Sequence, residues 1–116
     1  NDTLNGAAGK DTLTGGANKD VFAFSLVSDS SVSTPDIIKD FTRSQGDKID
    51  LSIPTFYDGT FKFIGTKAFS GAAGELRYQA QTNKTLVTGD TNGDKAADFA
   101  IELTGKLTLQ ASDFVL

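Results

Sequence analysis

The chain has 116 residues, a formal net charge of −4, and neither histidine nor cysteine. This composition excludes histidine-ligated zinc, Ser-His-Asp and Cys-His catalysis, and disulfide bonds. The acidic balance and the scattered lysines predict no nucleic-acid partner, since phosphate binding needs a clustered basic face. Because every apolar run is far shorter than the roughly 20 residues that cross a bilayer, we expect no membrane insertion.

Aspartate dominates the acidic residues, and only Glu75 and Glu102 are glutamates. Helical surfaces use glutamate heavily, whereas aspartate favours turns and hard-cation sites. With 12 glycines and 2 prolines, the composition predicts short strands joined by tight turns and very little helix. The chain also lacks methionine, from which we expect a processed or excised piece of a longer protein.

The first part of the chain repeats with a nine-residue step, which places Asp2, Asp11 and Asp20 at equivalent positions. An apolar residue follows each of these aspartates by two positions. Glycines allow the loops to take positive φ and turn their carbonyls inward, while the apolar residue anchors a short strand. Calcium prefers six to eight oxygens at about 2.3–2.6 Å, which carbonyls and one aspartate from each of two stacked loops supply.

These loops resemble the calcium-binding nonapeptide G-G-x-G-x-D-x-U-x of RTX (hemolysin-type) parallel β-rolls. Successive loops of such a roll lie on opposite sides, so the resemblance pairs Asp2 with Asp20 and Asp11 with Asp29, each 18 residues apart. Asp29 ends a degenerate last repeat that has lost its glycines. We expect one or two ions, and the predicted carbonyl ligands are Ala7, Gly9, Gly15 and Ala17. The alternative is that these turns connect strands and bind nothing.

From Asp20 onward the chain resembles the C-terminal domain of serralysin-type secreted metalloproteases, a module also found on other RTX proteins. The resemblance rests on DVFAF at 20–24, DS at 29–30, PDIIKDF at 35–41, GDKIDLS at 46–52 and DFVL at 113–116. It implies that residues 1–35 end a parallel β-roll and that residues 36–116 form a β cap, together one continuous unit. It also implies that a type I exporter recognises the C-terminus. The alternative explanation of the same residues is a last strand buried in the cap.

Two aspartates beside the last degenerate repeat, Asp36 and Asp40, lie four residues apart. Either carboxylate fits the completion of a calcium shell, with Asp36 the better candidate. A solvated turn before a strand explains the same pattern. Further along the chain, the alternating residues 47–51 predict a strand with Ile49 and Leu51 on one face and charged residues on the other.

The second half alternates with a period of two residues and predicts an antiparallel meander. The residues expected to share a face are Phe61 with Phe63, Leu76 with Tyr78, and Phe99 with Ile101 and Leu103. Residues 81–84 are predicted to form a hairpin loop. We expect this sheet to cap the open end of the roll, whose terminal coil otherwise exposes unpaired backbone.

A further polar cluster places the oxygen side chains of Asp90, Asn92, Asp94 and Asp98 at positions 1, 3, 5 and 9 of a loop. It resembles the DxDxDGxxD calcium loops of integrin-like propellers, with a lysine at the usual glycine position. An EF-hand is excluded, because Ile101 occupies position 12, where a bidentate glutamate is required. Calcium binding and a plain turn rich in aspartate and asparagine are the two interpretations.

Residues and resemblance together predict a non-catalytic module of a secreted, extracellular bacterial protein that is related to metalloproteases. Calcium couples to its folding, because the repeat aspartates repel one another without a cation. The expected partners are calcium ions, a type I exporter and an upstream domain. The alternatives are a carbohydrate-binding accessory module, as in RTX alginate epimerases, and the end domain of an RTX adhesin. An enzyme is the least favoured class. Cation binding or turn formation explains each set of regularly spaced acidic residues better than catalysis does.

Overall fold

The computed structural model describes residues 3–4, 12–16, 19–24, 35–42, 45–52 and 61–115. The strands in these residues are β1 (Thr3–Leu4), β2 (Thr12–Leu13), β3 (Val21–Ala23), β4 (Asp36–Ile38), β5 (Lys48–Asp50), β6 (Lys62–Gly65), β7 (Glu75–Ala80), β8 (Lys84–Asp90), β9 (Phe99–Thr104) and β10 (Phe114–Val115). A short 3₁₀ turn, Ala111–Asp113, precedes β10. The described residues include no helix with the length and apolar character needed to cross a membrane. The predicted all-β fold is confirmed.

Four strands form a wholly parallel sheet in the order β1, β3, β5, β10. Thr3 lies opposite Val21 and Leu4 opposite Phe22, so the paired residues of β1 and β3 are 18 positions apart. The strand between them in sequence, β2, belongs to the second sheet. Consecutive nine-residue repeats therefore alternate between two sheets, which is the predicted parallel β-roll.

The second sheet has six strands in the order β2, β4, β9, β8, β7, β6. Strand β4 pairs in parallel with β2 on one side, where Thr12 lies opposite Ile37. On its other side β4 pairs in parallel with β9, where Ile38 lies opposite Leu103. The second half of the chain thus extends one sheet of the roll, and β4 is the strand that joins them.

Strands β7, β8 and β9 form the predicted antiparallel meander. The hairpin at residues 81–84 is confirmed, since the Gln81 N–H donates to the Lys84 carbonyl at 2.7 Å. Strand β6 departs from the prediction, because it pairs with β7 in parallel, with Lys62 opposite Glu75. The reason is the long connection over residues 66–74, which returns the chain to the start of β7 in place of a tight turn. Arg77 holds this connection by donating from Nε to the Lys67 carbonyl at 2.8 Å.

One hydrophobic cluster contains side chains from both sheets. Its fully buried members include Phe22 and Ile49 of the four-stranded sheet and Ile38, Val87, Ile101 and Leu103 of the six-stranded sheet. The predicted pairs Leu76 with Tyr78 and Phe99 with Ile101 are buried as expected for one face of a strand. Burying this apolar surface is the main driving force that holds the two sheets together.

The C-terminal strand closes the four-stranded sheet. β10 pairs in parallel with β5, with Phe114 opposite Ile49, and the Leu51 N–H donates to the Val115 carbonyl at 2.9 Å. The Phe114 ring lies 5.3 Å from the Phe63 ring of β6, which belongs to the other sheet. The last residues are therefore a structural strand whose aromatic side chain bridges both sheets.

We expect Phe114→Ala to lower the free energy of unfolding by about 3 kcal/mol, because it empties a large buried site. Val115→Ala is the matched control: Val115 is 39% exposed and Phe114 only 6%, so its change should stay within about 0.5 kcal/mol. Urea unfolding of the three proteins at one calcium concentration measures both values. Equal losses of unfolding free energy in Phe114→Ala and Val115→Ala would contradict the bridging role of Phe114.

Candidate functional site

A carboxylate that follows β4 holds the glycine loop that precedes β3. The Gly15 N–H donates to Oδ1 of Asp40 at 2.9 Å, and the Gly16 N–H donates to Oδ2 at 2.6 Å. Gly16 has a φ of +79°, in the left-handed region that favours glycine. Asp40, considered from sequence as a calcium ligand, thus uses both oxygens to fasten the loop through charge-assisted hydrogen bonds.

The same loop brings backbone and carboxylate together at Gly15 and Asp20. A Cβ atom on Gly15 would lie 2.5 Å from Oδ2 of Asp20, a distance that no real Cβ contact allows. Only glycine fits there, and the Asp20 side chain is fully buried beneath it. Burial of a carboxylate is costly unless hydrogen bonds or a cation compensate its charge. The predicted ligands Gly15 and Asp20 therefore lie in direct proximity, which fits a calcium site with carbonyl and carboxylate oxygens.

Asp47 is a structural carboxylate that is buried and precedes β5. Its Oδ1 accepts from the Asp20 N–H and its Oδ2 from the Thr42 N–H, both at 2.9 Å. Asp47 thereby ties the start of β3 to the segment after β4.

Two further carboxylates bind backbone in the second half. Glu75 accepts from the Ser70 N–H at 2.8 Å, and Asp113 accepts from the Gln110 N–H at 2.7 Å. Asp113 stands three residues after Gln110, which is the spacing of a capping box and the one sequence signal that predicts this contact. The partners of Asp47 and Glu75 follow no local spacing rule.

Asp36 is a fully buried residue of β4, where it lies opposite Ile101 of β9. The solvated turn considered for it from sequence is therefore wrong. The role of Asp36 as a calcium ligand stays a prediction. Burial of its carboxylate fits this role, because a buried charge is costly unless it is compensated.

The remaining roll ligands predicted from sequence lie outside the described residues. They are Asp2, Asp11 and Asp29 and the carbonyls of Ala7, Gly9 and Ala17. The strand beside β2 is β4, whose paired residues are 25 positions further on, as Thr12 and Ile37 are. The step between paired residues is therefore 18 from β1 to β3 and 25 from β2 to β4.

The loop between β8 and β9 is built around the buried carboxylate of Asp90. Oδ1 accepts from the Gly93 N–H at 2.8 Å and the Asn92 N–H at 3.2 Å, and Oδ2 accepts from the Lys95 N–H at 2.9 Å. Lys95 has a φ of +67°, so it keeps the left-handed conformation of the glycine that it replaces in the DxDxDGxxD pattern. The backbone turns around one aspartate side chain.

The other polar side chains of this loop also accept backbone hydrogen bonds. Asp98 accepts from the Thr91 N–H at 2.8 Å and Asp94 from the Ala96 N–H at 2.9 Å. Carboxylate oxygens of Asp90, Asp94 and Asp98 lie within 4.8 Å of one another. The structure thus brings the three predicted carboxylates together, and their contacts are also those of a turn rich in aspartate.

Two opposing effects act on the pKa of the Asp90 carboxyl group. Burial raises the pKa because the charged form loses hydration, while hydrogen bonds from the backbone of Lys95, Gly93, Asn92 and Asp94 lower it. The hydrogen bonds prevail, and the pKa lies below its ordinary value of 3.8. Asp90 is therefore a carboxylate at neutral pH and stabilises the loop in that form.

A parallel sheet with an 18-residue step and a companion sheet that takes the intervening strands together define an RTX-type β-roll module. The chain belongs to the serralysin C-terminal family of peptidase M10, whose sequence model matches residues 2–116. The resemblance seen in the sequence is thereby confirmed.

Curated relatives include two metalloproteases that are much longer than this chain. Metalloprotease AprA of Pseudomonas entomophila is 41% identical over 88 residues, covering 73% of this chain and 18% of that protein. Serralysin C of Dickeya chrysanthemi is 33% identical over 97 residues, covering 82% of this chain and 19% of that protein. The chain thus spans about a fifth of the length of these relatives.

Similar solved structures include two subunits of the mannuronan C5-epimerase of Azotobacter vinelandii. The AlgE6R2 subunit has a TM-score of 0.67 and 29% identity, covering 98% of this chain and 70% of that one. The AlgE6R3 subunit has a TM-score of 0.66 and 31% identity, covering 99% of this chain and 62% of that one. The β-roll architecture is therefore shared with subunits of an epimerase.

We expect Asp90→Asn to lower the free energy of unfolding at pH 7 by about 1–3 kcal/mol, because the amide places a donor against the Lys95 N–H. A carboxyl whose folded pKa is depressed stabilises the fold fully above its unfolded pKa, and that contribution is lost as pH falls through the folded pKa. The difference between variant and parent should therefore shrink below about pH 4.

Urea unfolding at a series of pH values measures this difference. Asp94→Asn is the matched control, because Asp94 is exposed and accepts one hydrogen bond within the loop. A gap between Asp90→Asn and the parent that stays constant from neutral to acidic pH would refute the ionic role of Asp90.

Proposed function

We propose that this chain is a non-catalytic, calcium-dependent folding and export module of a larger secreted bacterial protein related to serralysin metalloproteases. In this proposal calcium binds the loops of the β-roll and triggers folding outside the cell. Residues 1–35 contribute the end of the roll, and residues 36–116 contribute the cap with a C-terminal signal for a type I exporter.

The observation that carries the calcium proposal is the close approach of Gly15 to the buried Asp20 carboxylate. A Cβ on Gly15 would lie 2.5 Å from Oδ2 of Asp20, so the loop backbone at Gly15 lies directly against the carboxylate. Calcium accepts such mixed oxygen shells. Sequence identity to AprA and the serralysins supports the extension of this chemistry from the family to this chain.

Coupling of calcium to folding follows from the shortness of the roll strands. Strands β1 to β3 have two or three residues each, so their ladders contribute few hydrogen bonds. Burial of the Asp20 and Asp36 carboxylates removes their hydration at a cost in free energy, and a bound cation would offset part of that cost. The free energy of calcium binding then contributes directly to the free energy of folding, as in other proteins whose metal sites do not exist before folding.

We expect far-UV circular dichroism to gain β-signal cooperatively when the chain is titrated with calcium from chelator to about 10 mM, within the range of extracellular sites. Magnesium should not replace calcium, because it demands a smaller octahedral shell. Asp20→Asn should raise the calcium midpoint at least about tenfold, the factor that corresponds to 1.4 kcal/mol.

Asp50→Asn is the matched control for this titration. Asp50 lies in β5, and its Oδ1 accepts from the Ser52 N–H at 2.9 Å, a contact that asparagine retains. The calcium midpoint of Asp50→Asn should equal that of the parent. Complete β-structure in chelator, without further change on adding calcium, would exclude the folding switch.

A secretion assay tests the export half of the proposal. The chain is expressed with a type I exporter, and its amount in the medium is compared with that of a variant lacking residues 113–116. We expect the deletion to abolish export, while Val115→Ala, which changes one exposed side chain, retains it. Undiminished export of the deletion variant would refute a signal at the C-terminus.

Likeness to the epimerase subunits supports a second candidate, a carbohydrate-binding accessory module. A cleft of about 380 Å³ beside β6 is lined in part by Lys62, Lys67 and the partly buried Phe63, and also by Glu75, whose carboxylate accepts hydrogen bonds from Ser70. Cations beside an aromatic ring suit an acidic sugar. Binding of an oligouronate to the calcium-loaded chain distinguishes this candidate from a pure export module.

A further inference from the structure

Asn92 and Gly93 form an Asn-Gly pair in the loop between β8 and β9, and Asn92 is exposed. Asn-Gly is the most reactive sequence for spontaneous deamidation, because the glycine has no side chain to shield its backbone nitrogen. We propose that Asn92 is a deamidation site that the folded loop suppresses and that reacts when this loop is unfolded.

The reaction needs only water. The backbone nitrogen of Gly93 loses its proton and attacks Cγ of Asn92, a new C–N bond forms, and Nδ2 leaves as ammonia. The product is a cyclic succinimide, which water opens at either carbonyl to give aspartate or isoaspartate. One water is consumed and one ammonia released, and no oxidation occurs.

The fold opposes the first of these steps at the nucleophile itself. The Gly93 N–H is donated at 2.8 Å to Oδ1 of Asp90, a fully buried carboxylate. Loss of that proton would break a charge-assisted hydrogen bond and place an amide anion beside an existing negative charge. The hydrogen bond to Asp90 therefore keeps the Gly93 nitrogen from acting as the nucleophile in the folded loop.

Packing also restrains the approach of the two reacting groups. A Cβ on Gly93 would lie 2.8 Å from the Gly71 carbonyl oxygen, so the backbone at Gly93 is packed closely against residues 71–73. The Asn92 side chain is engaged as well, since its Oδ1 accepts from the Asp94 N–H at 3.3 Å. Rotation toward the succinimide geometry requires both contacts to be given up.

The products change the loop in two ways. Aspartate at position 92 adds a fourth carboxylate to a loop in which those of Asp90, Asp94 and Asp98 already approach within 4.8 Å. Isoaspartate lengthens the backbone by one methylene beside the close contact of Gly93 with Gly71. The chemistry itself requires no calcium, so it is independent of the function proposed above.

Incubation of the full chain at mildly alkaline pH, folded and in urea at the same calcium concentration, tests the proposal. Trypsin releases residues 85–95, in which Asn92 is the one asparagine, and mass spectrometry follows its conversion to the acid. We expect conversion at least about tenfold slower in the folded chain, the factor that corresponds to about 1.4 kcal/mol. Asn83, which precedes Lys84, should react slowly in both states.

Two variants with the same change of charge separate the Asp90 contact from general loosening of the loop. Asp90→Asn replaces the carboxylate that accepts from Gly93, while Asp94→Asn removes an equal charge two residues C-terminal to Asn92 and leaves that contact in place. Circular dichroism confirms that each variant is folded during incubation. We expect folded Asp90→Asn to deamidate at Asn92 several-fold faster than folded Asp94→Asn or the parent.

Equal rates in the folded and urea-unfolded parent would overturn the proposed protection. Equal rates in the two folded variants would overturn the role of Asp90. If Asp90→Asn fails to fold, the comparison of the folded and unfolded parent still decides whether the loop protects Asn92.

Discussion

Hydrogen bonds from backbone N–H groups to buried or half-buried carboxylates hold the turns of this protein in place. The roll strands are only two or three residues long, so their ladders supply few backbone hydrogen bonds. Buried N–H groups must nevertheless be satisfied. Asp40, Asp47 and Asp90 each accept at least two such bonds. Since Asp40 and Gly15 are 25 residues apart, one carboxylate fixes two distant segments at once.

Two short strands connect the halves of the molecule. Strand β4 continues the sheet of the roll into the meander, and β10 returns from the meander to the four-stranded sheet. Phe114 then contacts Phe63 across the two sheets. Phe114 is therefore part of the core, and a C-terminal export signal that includes it would be available to an exporter before this strand pairs.

The proposed calcium site lies in a loop that is held by a carboxylate. The oxygens proposed to bind calcium are different from those that hold the loop. Both oxygens of Asp40 are occupied by Gly15 and Gly16, so Asp40 shapes the loop. Asp20 is instead the carboxylate that a Cβ on Gly15 would overlap. Framework and ligand are thus assigned to different aspartates. In the loop between β8 and β9, Asp90 serves as the framework, and its charge also protects the neighbouring Gly93 nitrogen.

The sequence alone determined the class of fold, because a nine-residue period and a two-residue alternation each prescribe where apolar residues lie. It also predicted the hairpin at residues 81–84 and the cluster of Asp90, Asp94 and Asp98, since these depend on local spacing. The partners of Asp40 and Asp47 are 25 and 27 residues away, and no local pattern encodes such distances. Tertiary structure alone decided these contacts, the parallel pairing of β6 and the burial of Asp36, because each depends on where other strands arrive in the assembled sheets.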